Sequence, residues 1–82
     1  MNEEEIFGRI IREERKAKKI SQEKLSKLTG LDRTFISLIE NGKRNPTLAT
    51  ILKISAALEI SPSEIFLKFE SQVPDFVPNR SS

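Results

Sequence analysis

The sequence predicts an all-α fold: a compact bundle of five short helices, the second and third joined by a tight glycine turn. Three observations predict it. Apolar residues recur at helical spacing, and no stretch alternates as a strand would. Ser21, Asp32, Thr47 and Ser61 each stand just before such a run, where N-cap residues belong. An apolar residue precedes three of those caps and has an apolar partner five positions on: Ile20 with Leu25, Leu31 with Ile36, and Ile60 with Ile65. That is the spacing of a hydrophobic staple.

The first helix is expected from Glu4 to Lys18 or Lys19. Phe7, Ile10, Ile11 and Ala17 mark its apolar side. Arg15, four residues after Ile11, falls on that same side and needs a partner there. The second helix spans Gln22 to Thr29, with Leu25 and Leu28 facing inward, and Gly30 ends it in the left-handed conformation. The third runs from Arg33 to Asn41 and stops at Gly42. Lys43, Arg44, Asn45 and Pro46 form a loop. Thr47 caps a fourth helix, Leu48 to Leu58, whose inner stripe is Ile51, Ile54, Ser55 and Leu58. Ser61-Pro62-Ser63-Glu64 opens a fifth helix with a capping box and a proline at the first helical position. After Phe69 the helical period lapses. Residues 1–69 are therefore read as one domain and 70–82 as a flexible C-terminal tail, in which Val73, Phe76 and Val77 could dock on the body or on a partner.

Composition narrows the function. A chain of 82 residues is one domain, and a core this small gives modest stability unless two chains pair. Absence of Cys suits a reducing cytoplasm and excludes disulfides and thiolate metal sites. Absence of His removes the commonest general base and metal ligand, so no cofactor or metal is expected. No apolar run is long enough for a membrane span, and the acidic start from Asn2 to Glu5 is unlike a signal peptide. An enzyme is disfavoured further by the lack of Tyr and Trp, of a phosphate-cradling glycine loop and of a convergent acid pair. The net charge is only +2, yet residues 9–27 hold eight Lys or Arg against three Glu. A solvated helix face would give the same balance, so charge alone does not decide for a nucleic-acid partner.

The third helix is more informative. At 100° per residue, Ile36, Ile39 and Glu40 share one side with Phe35 at its edge. Thr34, Ser37, Leu38 and Asn41 lie opposite, with Arg33 at the other edge. Short polar groups beside one arginine suit close approach to base edges in the major groove. The start of the second helix, Ser21, Gln22 and Glu23, offers free N–H groups to a phosphate. Lys43, Arg44, Asn45 and Thr47 add charge and hydrogen bonds at the far end; an exposed polar loop is the plainer account of them. Glu40, on the inner side, is expected to pair with Arg15. Leu52, Ile65, Phe66, Leu67 and Phe69 are more apolar surface than one small bundle hides, which points to a homodimer contact on the fourth and fifth helices.

Over residues 6–67 the sequence resembles the Cro and phage-repressor type of helix-turn-helix domain, the lambda-repressor-like fold. The residues that carry the resemblance are Leu25, Ser26, Gly30, Leu31, Ile36 and Ile39, with FGRIIREERKAKKISQEKLS before them and ISLIENGKRNPTL after. Ser26 stands where that family has alanine or glycine. LDRTFIS followed by KRNPT is most similar to the controller proteins of restriction–modification systems, small dimeric regulators of their own operon and of the endonuclease gene. The resemblance implies an interior Arg15–Glu40 pair and a phosphate contact at Gln22. It further implies base reading at Arg33, Thr34 and Leu38, Phe35 packed beside the backbone, and phosphates held by Arg44, Asn45 and Thr47. The expectation is a cytoplasmic, nucleoid-associated homodimer on double-stranded DNA, its near-palindromic half-sites about one helical turn, ~34 Å, apart. The alternatives are a general phage-type repressor and an antitoxin-like protein that holds a partner protein through residues 70–82.

Overall fold

The first helix, α1, runs Glu3–Ala17, and a reciprocal cap sets its start. Asn2 Oδ1 accepts from the Glu5 N–H at 2.8 Å, and Glu5 Oε1 accepts from the Asn2 N–H at 3.0 Å. Four more helices follow: α2 Gln22–Thr29, α3 Arg33–Glu40, α4 Leu48–Leu58 and α5 Pro62–Ser71. This computed structural model describes residues 2–73. Ser21, Asp32, Thr47 and Ser61 all cap, each accepting a backbone N–H from the first turn of its helix. The C-termini divide into two kinds. Gly30 and Gly42 take positive φ after α2 and α3, as glycine permits. Lys19 and Glu59 do the same after α1 and α4 without being glycine. There, paired backbone bonds hold the chain in a Schellman turn: Lys19 to Lys16 with Ile20 to Arg15, and Glu59 to Ala56 with Ile60 to Ser55.

The core joins all five helices. Ile6, Phe7, Ile10 and Ile11 come from α1, Leu25 from α2, Ile36 and Ile39 from α3, Ile54 and Leu58 from α4, and Ile65 from α5, with Ile60 from the turn before α5. α1 packs on α3 and α5, α2 packs on α3 and α4, and α4 packs on α5. The three stapled pairs all lie in this core or against it. No helix among the described residues is long and apolar enough to cross a membrane.

Four sequence expectations require correction. Leu28 is 51% exposed and does not face inward. Three residues after Leu25, it is rotated about 60° off that axis, and the narrow contact of an eight-residue helix does not reach it. Ala17 is exposed too: it falls within about 20° of Ile10 around the helix, but it is the last residue of α1, at the end of the packed face. Ile65 is fully buried among the protomer's own core residues, so it cannot contribute to a contact between protomers. Finally, α5 continues through Phe69 to Ser71. Arg9 Nη2 donates to Gln72 Oε1 at 2.6 Å, and Lys68 Nζ meets Glu14 Oε1 at 2.6 Å. These two ties and the partly buried Val73 seat the end of α5 along α1. Phe76 and Val77, grouped with Val73 in the sequence, lie outside the described residues.

Candidate nucleic-acid interface

The turn between α2 and α3 is held by hydroxyl groups. Ser26 Oγ donates to the Leu31 carbonyl. Thr29 Oγ1 donates to the Leu25 carbonyl at 2.8 Å and accepts from the Leu31 N–H at 3.1 Å. Ser26 thus supplies a cross-link that alanine or glycine at this position could not. With the turn fixed, Asp32 Oδ1 accepts from the Thr34 N–H at 2.7 Å and starts α3.

Glu40 decides which way α3 faces. Its side chain has no solvent exposure. Arg15 Nε donates to Oε2 at 2.7 Å and Arg15 Nη2 to Oε1 at 3.0 Å, a bidentate pair. Arg15 Nη1 also donates to the Ile20 carbonyl at 2.9 Å. Gln22 Nε2 donates to Glu40 Oε1 at 3.1 Å, and Arg12 Nε lies 3.7 Å from the same oxygen. Groups from α1 and α2 therefore converge on one carboxylate of α3. Among the described residues, no buried side-chain nitrogen or oxygen lacks a partner.

That convergence turns the other side of α3 outward. Arg33, Thr34 and Asn41 are exposed, and Ser37 and Leu38 are partly so. Phe35 sits at the margin, packed against the core on one side. Its ring carries the guanidinium of Arg44, with Cζ 5.5 Å from the centroid, which ties the loop after α3 to the helix. Lys43 and Asn45 are exposed in that loop. Lys43 N–H donates to the Leu38 carbonyl at 2.8 Å, and Gly42 N–H donates to the Ile39 carbonyl at 3.0 Å. Thr47 and Ser21 are exposed, and both spend their hydroxyl oxygens as caps, on the N–H groups of Thr50 and Lys24. Gln22 is partly buried, with one amide hydrogen given to Glu40 and the other left over.

Of the residues expected at the dimer contact, Leu52, Phe66 and Leu67 are exposed and Phe69 is partly so. Ser63, Phe66, Leu67, Phe69 and Glu70 line a shallow groove along α5. The Phe66 ring lies 6.1 Å from that of Phe7, which fixes one wall of it.

Arg12 was missed from the sequence. Besides approaching Glu40, its Nη2 donates to Asn41 Oδ1 at 2.7 Å. A signal existed: Arg12 precedes Arg15 by three residues, so both guanidiniums leave α1 on neighbouring lines toward the same helix.

Two short helices set by a glycine turn, the second locked from behind and polar in front, define a DNA-binding transcriptional regulator. Residues 11–65 match the family model described as helix-turn-helix, and the chain belongs to that family. It is 46% identical over 74 residues to Control protein C.MunI of a Mycoplasma species, spanning 88% of this chain and 100% of that protein. It is 48% identical to the restriction–modification controller protein C.AhdI from Aeromonas hydrophila, whose crystal structure superposes with a TM-score of 0.74 over 76% of this chain and 94% of that one. The wild-type restriction–modification controller protein C.Esp1396I superposes at 0.82 over 93% and 99% of the two chains, with 29% identity.

Proposed function

We propose that this protein is the controller of a restriction–modification system, binding a near-palindromic operator as a homodimer at the nucleoid in the cytoplasm. The observation that carries the reading is the division of α3. Glu40 holds the inner side, which leaves Arg33, Thr34, Ser37, Leu38 and Asn41 to meet base edges. Similarity to control proteins over most of the chain supports the regulatory role. The reading is of a regulator and not an enzyme, in keeping with a sequence that lacks His, Cys, Tyr and Trp.

Around the reading face, Arg44, Lys43, Asn45 and Thr47 contact phosphates on one side and the start of α2, Ser21 and Gln22, does so on the other. Phe35 acts through Arg44, holding its guanidinium level. Leu52, Phe66, Leu67 and Phe69 form the contact between protomers, giving the apolar groove of α5 a partner. Regulation follows from where the dimer sits, either blocking polymerase or recruiting it.

Selection of bound sequences from random duplex DNA tests the whole reading and should return an inverted repeat. On that operator, Arg33→Ala is expected to cost roughly 1–3 kcal/mol and to relax preference at one position of each half-site. Arg44→Ala is expected to weaken all duplexes alike and to flatten the dependence of affinity on salt. An operator affinity untouched by Arg33→Ala would place the reading face elsewhere. Sedimentation should find a dimer at micromolar concentration, and a Leu67→Glu variant should shift it toward monomer. A monomer on the operator would overturn the two-fold reading.

A further inference from the structure

The eight lysines and arginines between residues 9 and 27 fall into two groups. Arg9 donates to Gln72, Arg12 to Asn41 and Arg15 to Glu40, and Lys27 meets Glu23. Lys16, Lys18, Lys19 and Lys24 are exposed and make no side-chain bond or ion pair among the described residues. These four surround one point of the chain. Lys16 is in the last turn of α1, Lys18 caps that helix, Lys19 makes the left-handed turn after it, and Lys24 is in the first turn of α2. Between them lie Ser21 and Gln22, the start of α2. The nearby carboxylates are engaged elsewhere: Glu23 Oε1 is 3.6 Å from Lys27 Nζ, and Glu14 Oε1 is 2.6 Å from Lys68 Nζ. Glu13, the remaining acid of the stretch, lies a turn before Lys16.

Folding explains only part of this cluster. The negative end of the α1 dipole favours Lys16 and Lys18. Lys24 stands at the positive start of α2, where a cation is disfavoured. Lys19 holds φ at 60°, where glycine would be unstrained. Both lysines sit at a cost to the free protein, and a polyanion beside the turn would offset it. The position of the turn selects which phosphates it meets. The loop from Lys43 to Thr47 leads directly into α4, and α4 and α5 carry the proposed contact between protomers. That flank of α3 therefore faces the two-fold axis, and the start of α2, on the other flank, faces away from it.

We propose that Lys18 and Lys19, with Lys16 and Lys24 beside them, form an outer clamp on the DNA backbone beyond each half-site, where no base is read. This requires α3 to be the base-contacting helix and α4 and α5 to meet the second protomer. The clamp lengthens the duplex that the dimer holds and adds affinity without adding sequence preference.

The test uses the full chain and duplexes carrying the sequence selected from random DNA, ending either at the edges of the half-sites or about ten base pairs beyond them. The wild type should bind the longer duplex more tightly, whatever the flanking sequence. Lys18→Gln with Lys19→Gln should lose that gain and keep the affinity for the short duplex. Four contacts are then missing from the dimer, so the slope of log affinity against log salt should flatten by about 3.6 on the long duplex alone. Lys19→Gly separates folding from binding. Relief of the left-handed turn should raise the melting temperature by about 4 °C, while part of the long-duplex gain is lost. Lys53→Gln removes the same charge beside Leu28 and Thr29, at the far end of α2, and should change neither affinity. Equal binding of both duplexes by the wild type, or a double variant that keeps the full gain, would overturn the outer clamp while leaving the reading of α3 intact. An equal loss on both duplexes, or the same loss from Lys53→Gln, would overturn it as well. A wild-type pool without any enriched sequence would instead overturn the reading of α3, and the proposal with it.

Discussion

Glu40→Ala and Arg15→Ala should each lower the stability of the fold by about 3–5 kcal/mol, read as a shift in urea or thermal melts. The magnitude follows from burial. The Glu40 side chain is fully enclosed and that of Arg15 is 11% exposed, so neither regains full hydration when the other is removed. The two losses differ in kind. Removing Glu40 orphans Arg15 and also releases Gln22 and Arg12. Removing Arg15 leaves a buried carboxylate with one amide and one more distant guanidinium, and it frees the Ile20 carbonyl as well. In a domain whose total stability is of the order of 5–15 kcal/mol, either loss is a large fraction. Changing both residues to leucine should recover much of the deficit, because an uncompensated buried charge costs more than an apolar pair. Changes near zero in both single variants would mean that the pair contributes nothing.

The second large effect is expected at Gly8, and it has a different origin. Gly8 is buried where α1 crosses the end of α3. A Cβ added there would strike the Ile39 carbonyl oxygen and come within 2.8 Å of the Glu40 carbonyl oxygen. These are backbone atoms and cannot rotate aside. Gly8→Ala should therefore push the two helices apart and destabilise by about 3 kcal/mol, the upper range for an overpacked core. Alanine is also the better helix former, so propensity alone gives the opposite sign. A melt showing Gly8→Ala at or above wild-type stability would refute the close approach. DNA binding should suffer too, since Glu40 and Asn41 move with the displaced turn.

The contrast between these two sites explains what could be read from the sequence. Arg15 and Glu40 were legible as inward charges because helical spacing assigns each to an apolar side, and two inward charges of opposite sign must meet. The caps and staples were legible because they are local, set by residues three to five positions apart. Gly8 carried no such signal: its importance comes from a backbone thirty residues away. Lys19 and Glu59, at left-handed turns, were hidden because backbone bonds replace the glycine that would have marked them. Leu28 was misread because periodicity gives direction but not the width of a contact. Ile65 was misread because surplus apolar residues near the end of the chain do not reveal which of them the core takes first.

The shared carboxylate of Glu40 has one further consequence. Everything that sets the pose of α3 reaches it from behind: Arg15 and Arg12 from α1, Gln22 from α2, and the Ile36 and Ile39 side chains below. Arg33 and Thr34 take no part in that anchorage and make no side-chain bond to the rest of the protein among the described residues. At Arg33 and Thr34, the anchorage of α3 and the surface proposed to meet DNA are therefore carried by different residues of one eight-residue helix. If these two residues read bases as proposed, exchanging them should change the preferred sequence while leaving the packing of the helix as it is.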